Sequence, residues 1–168
     1  LIEKKLRLPH DENFYISGLL HDIGKVLIYQ FYPNKFEDIV LTQIEDEIPD
    51  YDAEKEILGV DHAEIGGELA EKWKFDKAII NSIHYHHSLL KSRSSTLTAV
   101  VSIANAFSKK AGLCFAWDEK SFDINNFPGW EMLKEQSKMD IDVDQTVLQL
   151  TEEVDNVREI VETLLNAL

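Results

Sequence analysis

Between Val147 and Leu168, valine and leucine recur at alternating spacings of three and four: Val147, Leu150, Val154, Val157, Val161, Leu164 and Leu168. This is the heptad spacing of a helix packed along its length, and it predicts one helix over 143–167. Helical spacing also links Phe36, Ile39, Val40 and Ile44; Ile65, Leu69 and Trp73; and Val100, Ile103, Ala104 and Phe107. No stretch alternates apolar and polar residues as a half-buried strand does, and there is neither a repeat nor a low-complexity tract. The chain reads as all-α.

Capping and breaking residues divide it. Residues 1–8 read as the tail of an amphipathic helix stopped by Pro9, which predicts a fragment lacking N-terminal helices, folded as a single domain over 1–168. Asp11 is placed to cap a helix carrying Phe14, Leu19, Leu20, Ile23, Leu27 and Ile28; apolar residues on most of its faces predict a central, buried element. Pro33 ends it, and Pro33 or Asn34 opens the next, which Pro49 closes. Asp50 or Asp52 caps a short helix ended by Gly59 at a left-handed C-cap. Asp61 with Glu64 forms a capping pair for a helix over 62–74, placing His62 in its first turn. Asp76 caps a helix with Ile79, Ile80, Ile83 and His87 on one stripe, aiming His87 inward and leaving His84 and His86 on the flanks. Residues 88–95 read as a loop, 96–111 as a helix ended by Gly112, and 113–129 as an irregular connection. Trp73 and Trp130 are expected in the core. The terminal heptad packs on its own domain, the commoner case, or forms a homodimer seam.

With 168 residues, 44% of them hydrophobic, the chain can bury one ordinary core. Its net charge of −14 repels nucleic-acid phosphates and anionic membranes, so neither is an expected partner. The single Cys114 excludes an internal disulfide and a cysteine-built zinc cage, and it fits a reducing, cytoplasmic setting. No apolar run approaches the roughly 18 residues a membrane span needs.

The chemistry concentrates in Gly18-Leu19-Leu20-His21-Asp22-Ile23-Gly24-Lys25. At about 3.6 residues per turn, His21 and Lys25 share a helix face with Asp22 beside them, so an imidazole, a carboxylate and an ammonium can converge on a metal and a phosphate. A phosphate-binding loop is excluded: five residues, not four, separate Gly18 from Gly24, and Val26 follows Lys25 where that motif needs Ser or Thr. Two further patches can join the same pocket, His62 in GVDHAEIG and the run Ile83-His84-Tyr85-His86-His87. Five of the six histidines lie in these three places.

Together GLLHDIGK, EILGVDHAEIGGELAEKW (56–73) and IHYHH (83–87) resemble the HD superfamily of metal-dependent phosphohydrolases, and most closely its HDOD branch of bacterial signalling proteins. The resemblance covers residues 14–112 directly and implies an HD-like helical bundle. It further implies that His21 and Asp22 are the metal-binding His-Asp pair, that His62, His86 and His87 are additional metal-ligating histidines, and that Lys25 is a catalytic lysine facing phosphate. The later acidic ligand of that family corresponds to Asn105, a neutral amide and a poorer ligand for a hard cation. The upstream histidine falls before residue 1, since His10 is too close to His21. No Gly-Tyr-Pro follows His87, which argues against the cyclic-di-GMP-hydrolysing branch. Imidazole and carboxylate donors without thiolate suit Mn, Fe, Ni, Zn or Mg. The implied role is a signal-transduction module with a partial or remnant metal site, binding a signalling protein or a nucleotide; the rival is an active phosphohydrolase or phosphodiesterase acting on a nucleotide.

Overall fold

The computed structural model describes residues 2–8, 11–89, 95–110, 124–137 and 140–166. His10, Cys114 and most of the 113–129 connection lie outside the described residues. Within them, every element is helical: α1 (Ile2–Lys5), α2 (Asn13–Leu20), α3 (Ile23–Phe31), α4 (Pro33–Glu45), α5 (Asp50–Leu58), α6 (His62–Lys72), α7 (Lys77–Tyr85), α8 (Thr96–Lys110), α9 (Pro128–Ser137) and α10 (Val143–Asn166), with a short 3₁₀ turn at Ile124–Asn126. The all-α, HD-like bundle that the sequence implies is what the chain forms.

Three apolar clusters hold it. Ile28 of α3, Ile39 of α4 and Ala53 of α5 make one. Ala70 of α6, Ile79 and Ile83 of α7, and Leu97 and Val101 of α8 make the second, with Phe14, Ile16 and Leu20 of α2 packed on it. Ile2, Leu6 and Leu8 join Val100, Ile103 and Phe107 of α8, Trp130 and Leu133 of α9, and Leu150 of α10 in the third. α8 enters two of these clusters from opposite faces and is the central helix. Its apolar positions Leu97 to Phe107 are buried almost without interruption, the pattern of a helix surrounded by others.

Several local signals act as the sequence indicates. Gly59 ends α5 with φ +77°, a conformation cheap only for glycine. Asp61 and Glu64 close a complete capping box at α6, Pro33 stands in the first turn of α4, and Trp130 is 1% exposed.

Others differ. The helix expected from Asp11 to Tyr32 breaks at His21–Asp22 into α2 and α3, and it is not buried all round: Tyr15, Leu19, Val26, Tyr29 and Phe31 are exposed. Its inner face alone meets α6, α7 and α8. Neither Asp50 nor Asp52 caps α5; extended Pro49 takes the cap position, leaving the Asp50 side chain for other work. Asp76 stands at the cap of α7 without a side-chain capping bond. Trp73 is 55% exposed rather than core, because α6 buries the face of Ala63, Gly66, Gly67 and Ala70 and the Ile65-Leu69-Trp73 stripe runs along its flank. The Pro128-Gly129 pair opens α9 rather than a loop, since proline's fixed φ and missing N–H suit a first helical turn. Among the described residues no helix is long and apolar enough to cross a membrane.

Candidate metal centre

The break between α2 and α3 builds the site. Asp22 adopts φ −99° and ψ +13°, the sparsely populated bridge between helix and extended regions. The Lys25 N–H donates to its carbonyl oxygen at 2.9 Å, so α3 restarts at once. Opposite, the capping box fixes the start of α6: the Glu64 N–H donates to Asp61 Oδ1 at 2.8 Å and the Asp61 N–H to Glu64 Oε2 at 3.1 Å. Lys55 pairs with Asp61 at 2.7 Å from outside. His62 is thereby the first residue of α6, with no exposed surface. α3 crosses it so closely that a Cβ on Gly24 would lie 2.0 Å from the His62 carbonyl oxygen. Only glycine fits there.

α7 stops at Tyr85, so His86 and His87 leave its helical stripe. Here the expectation that His87 alone points inward is corrected: His86 is the more buried, at 1% exposure, and both reach the cluster. His84 turns away, its ring against Gly67 of α6. Ser102 of α8 donates a hydrogen bond to the His86 carbonyl, pinning the end of α7.

Asp22, His62, His86 and His87 each bring a ligand atom within 4.8 Å of the others. His21 Nε2 stands 3.5 Å from Asp22 Oδ1, His62 Nε2 3.1 Å and His86 Nε2 3.6 Å from the same oxygen. The opposite ring nitrogens decide what these Nε2 atoms offer. His21 Nδ1 lies 2.8 Å from the Gly18 carbonyl and His86 Nδ1 2.7 Å from the Ile83 carbonyl. A carbonyl only accepts, so each Nδ1 carries the proton and donates, leaving an Nε2 lone pair. His62 Nδ1 sits 2.6 Å from Glu54 Oε2, a buried carboxylate that also accepts the His62 N–H at 2.7 Å. Imidazoles oriented in this way by carbonyl and carboxylate partners are the arrangement of metal-bound histidine.

Two atoms test the fit. Asp22 Oδ1 and His21 Nε2 are buried and make no hydrogen bond, and His62 Nε2 lies only 3.3 Å from His86 Nε2 and 3.0 Å from His87 Nε2. Buried polar atoms left in this way are rare and need a partner. A divalent cation satisfies them together, so the residues present fit one.

The charges agree. Burial pushes the Asp22 carboxyl up, but the His62 and His86 rings and Lys25 outweigh it and hold it far below the carboxylate range. Burial lowers His86 to about 4, helped by His62 and His21, and burial with both neighbouring rings lowers His87 well below its ordinary value. For His62 burial is outweighed by Asp22 and Glu54, which raise it to about 9, so the ring keeps a proton on Nε2 that a cation must displace.

Lys25 bridges outward, 2.9 Å from Asp22 Oδ2 and 2.6 Å from Asp50 Oδ2. Lys109 of α8 reaches both Asp50 oxygens at 3.2 Å. Burial would neutralise Lys25, but Asp50 and Asp22 raise its pKa further. Burial would likewise raise Asp50, which Lys25 and Lys109 hold well below its usual range. Asn105 is half-buried on α8, between Ser102 three residues before and Lys109 four after, on the helix face turned to this network. Glu54, Asp50 and Lys109 complete the surroundings, and motif reading does not single them out. Their only signal is that Asp50 and Glu54 stand four apart on the apolar face of α5, beside buried Ala53.

An all-helical bundle that folds a consecutive His-Asp pair onto further histidines defines an HD-type domain. More narrowly, the chain belongs to the HDOD domain family, whose pattern matches residues 1–89. Over 96% of its length it superposes, with a TM-score of 0.86 and 27% identity, on 56% of a Geobacter sulfurreducens HDOD domain protein of unknown function. A Shewanella amazonensis protein provisionally named a phosphohydrolase matches 90% of the chain and 53% of its own, with a TM-score of 0.62 and 24% identity. In sequence, an uncharacterised protein of Treponema pallidum is 39% identical over 75 residues, 45% of this chain. Ribonuclease Y of Mycoplasma mycoides is 35% identical over 92 residues, 55% of this chain. In each case the match spans 15% of the relative's own length.

Proposed function

We propose that this HDOD domain is a signalling module that holds a divalent cation at Asp22, His62, His86 and His87, with His21 beside them, and that it acts by binding a protein partner or a nucleotide rather than by turnover. The convergence of the His21, His62 and His86 Nε2 atoms on the buried Asp22 Oδ1, with His87 in the same group, carries this reading. The bound cation orders the junction of α2 with α3 and the ends of α6 and α7, which makes metal occupancy a conformational input. Zn, Mn, Fe and Ni suit so imidazole-rich a set better than Mg. The exposed Tyr15, Leu19, Val26, Tyr29 and Phe31 provide apolar surface for a partner on the same two helices that carry the His-Asp pair.

The rival reading is a metal-dependent phosphohydrolase, in which the cation supplies an activated water. The phosphodiesterase chemistry implied by the name ribonuclease Y and the provisional name of the Shewanella protein favour it. Two features favour the module: Asn105, the residue that the motif resemblance matches to an acidic ligand, is a neutral amide, and Lys25 is neutralised between Asp22 and Asp50 instead of being open to a phosphate. The test is hydrolysis of bis(p-nitrophenyl) phosphate and a nucleotide panel with Mn, Zn or Fe added. The module reading predicts no turnover above an Asp22→Ala variant; metal-dependent turnover that this variant loses would establish the enzyme.

A further inference from the structure

We propose that the distal half of α10 is the seam of a parallel homodimer. In the heptad beginning at Val147, the first core position (a) is Val147, Val154 and Val161, and the second (d) is Leu150, Val157 and Leu164. The surroundings change along this one stripe. Leu150 is 1% exposed within the domain, whereas Val157 is 50% and Leu164 62% exposed. The flanking Ile160 and Leu165 are exposed as well and widen the apolar face. A seam that begins as core thus continues, in register, into solvent.

The pattern specifies a second copy as the occupant. Among parallel coils, valine at a with leucine at d, the pattern of Val161 with Leu164, favours two strands, and Val157 is the one d position that departs from it. In a parallel pair each residue preceding an a position (g) faces the residue five further along (e) on the other helix. Glu153 then meets Arg158 of the second copy, acid against base, and Ile160 meets Leu165, apolar against apolar. An antiparallel pair sets g against g and e against e, placing Glu153 near Ile160 and Arg158 near Leu165. Glu152, Asp155, Glu159 and Glu162 all fall at outer positions, so the acidic charge that opposes association of a −14 chain faces away from the seam. Within one chain Glu153 pairs with Lys5 at 2.7 Å and Arg158 with Glu162 at 3.2 Å. Both are surface pairs and exchange at little cost.

The test uses the 168-residue chain in a Cys114→Ser background, so that a cross-link reports only an introduced cysteine. Leu164→Cys, at the seam, should form a disulfide-linked dimer on mild oxidation, and Glu159→Cys, on the outer face, should not. Light scattering of the parent should give twice the 19.3 kDa chain mass, and Ile160→Glu/Leu164→Glu should return it to one chain mass with helix content unchanged. A monomeric parent, equal cross-linking at both positions, none at 164, or a dimer that survives the double glutamate substitution would overturn the proposal.

Discussion

Three of the imidazoles around Asp22 are oriented by what the far nitrogen touches. The Gly18 and Ile83 carbonyls and the Glu54 carboxylate hold the Nδ1 atoms of His21, His86 and His62 and so turn the three Nε2 atoms toward Asp22 Oδ1. Glu54→Gln keeps the shape of that partner and removes its charge, so metal affinity should fall about 10- to 100-fold with the fold intact, read by competition with a chelator. Asp50 is held below its ordinary pKa by two lysines, so its contribution to stability is complete above about pH 4 and is lost progressively on further acidification. Asp50→Asn should therefore cost about 3 kcal/mol near neutrality, with the gap from the parent closing as the pH drops below that value, in urea titrations across pH. The clustered histidines are legible in the sequence because imidazole is scarce and chemically distinctive, at six in the chain. Glu54, Asp50 and Lys109 are not, because they are three among 48 ionised side chains counted as 31 acids and 17 bases, and only the fold separates them from solvated ones.

At the scale of elements, local backbone chemistry is the readable part. Gly59, the Asp61–Glu64 box and Pro33 set their helix ends through interactions a few residues long, which a sequence displays in full. The break at His21–Asp22 is hidden because the apolar spacing runs through it, and its cause is non-local: α3 lies against the start of α6, with Gly24 on the His62 carbonyl. Gly24→Ala forces a methyl into backbone that cannot yield, so it should destabilise by about 3 kcal/mol in denaturant titration and loosen the metal site as α3 backs away. The opposite result, an unchanged midpoint, would mean that the crossing is not tight. α9 escapes a pattern reading because its Pro-Gly opening looks like a turn, whereas Trp130 and Leu133 on its inner face are anchored by α8.

For the whole molecule, α8 joins two of the three apolar clusters, while the candidate metal centre lies where α2, α3, α5, α6 and α7 meet. The all-α class and the HD-like arrangement are legible because periodicity and three ordered motifs are global properties of the chain. Which faces stay open is not: Trp73, the outer side of α2 and α3, and the distal stripe of α10 carry core-like residues and are exposed. Apolar spacing reports that a face is made to be covered and does not name what covers it. The central claim is that the cluster holds a divalent cation, and it is tested most directly by elemental mass spectrometry of protein purified without chelator, beside a His62→Ala variant. The account predicts close to one Zn, Mn, Fe or Ni per chain, absent from the variant. Metal no higher in the parent than in the variant would contradict it.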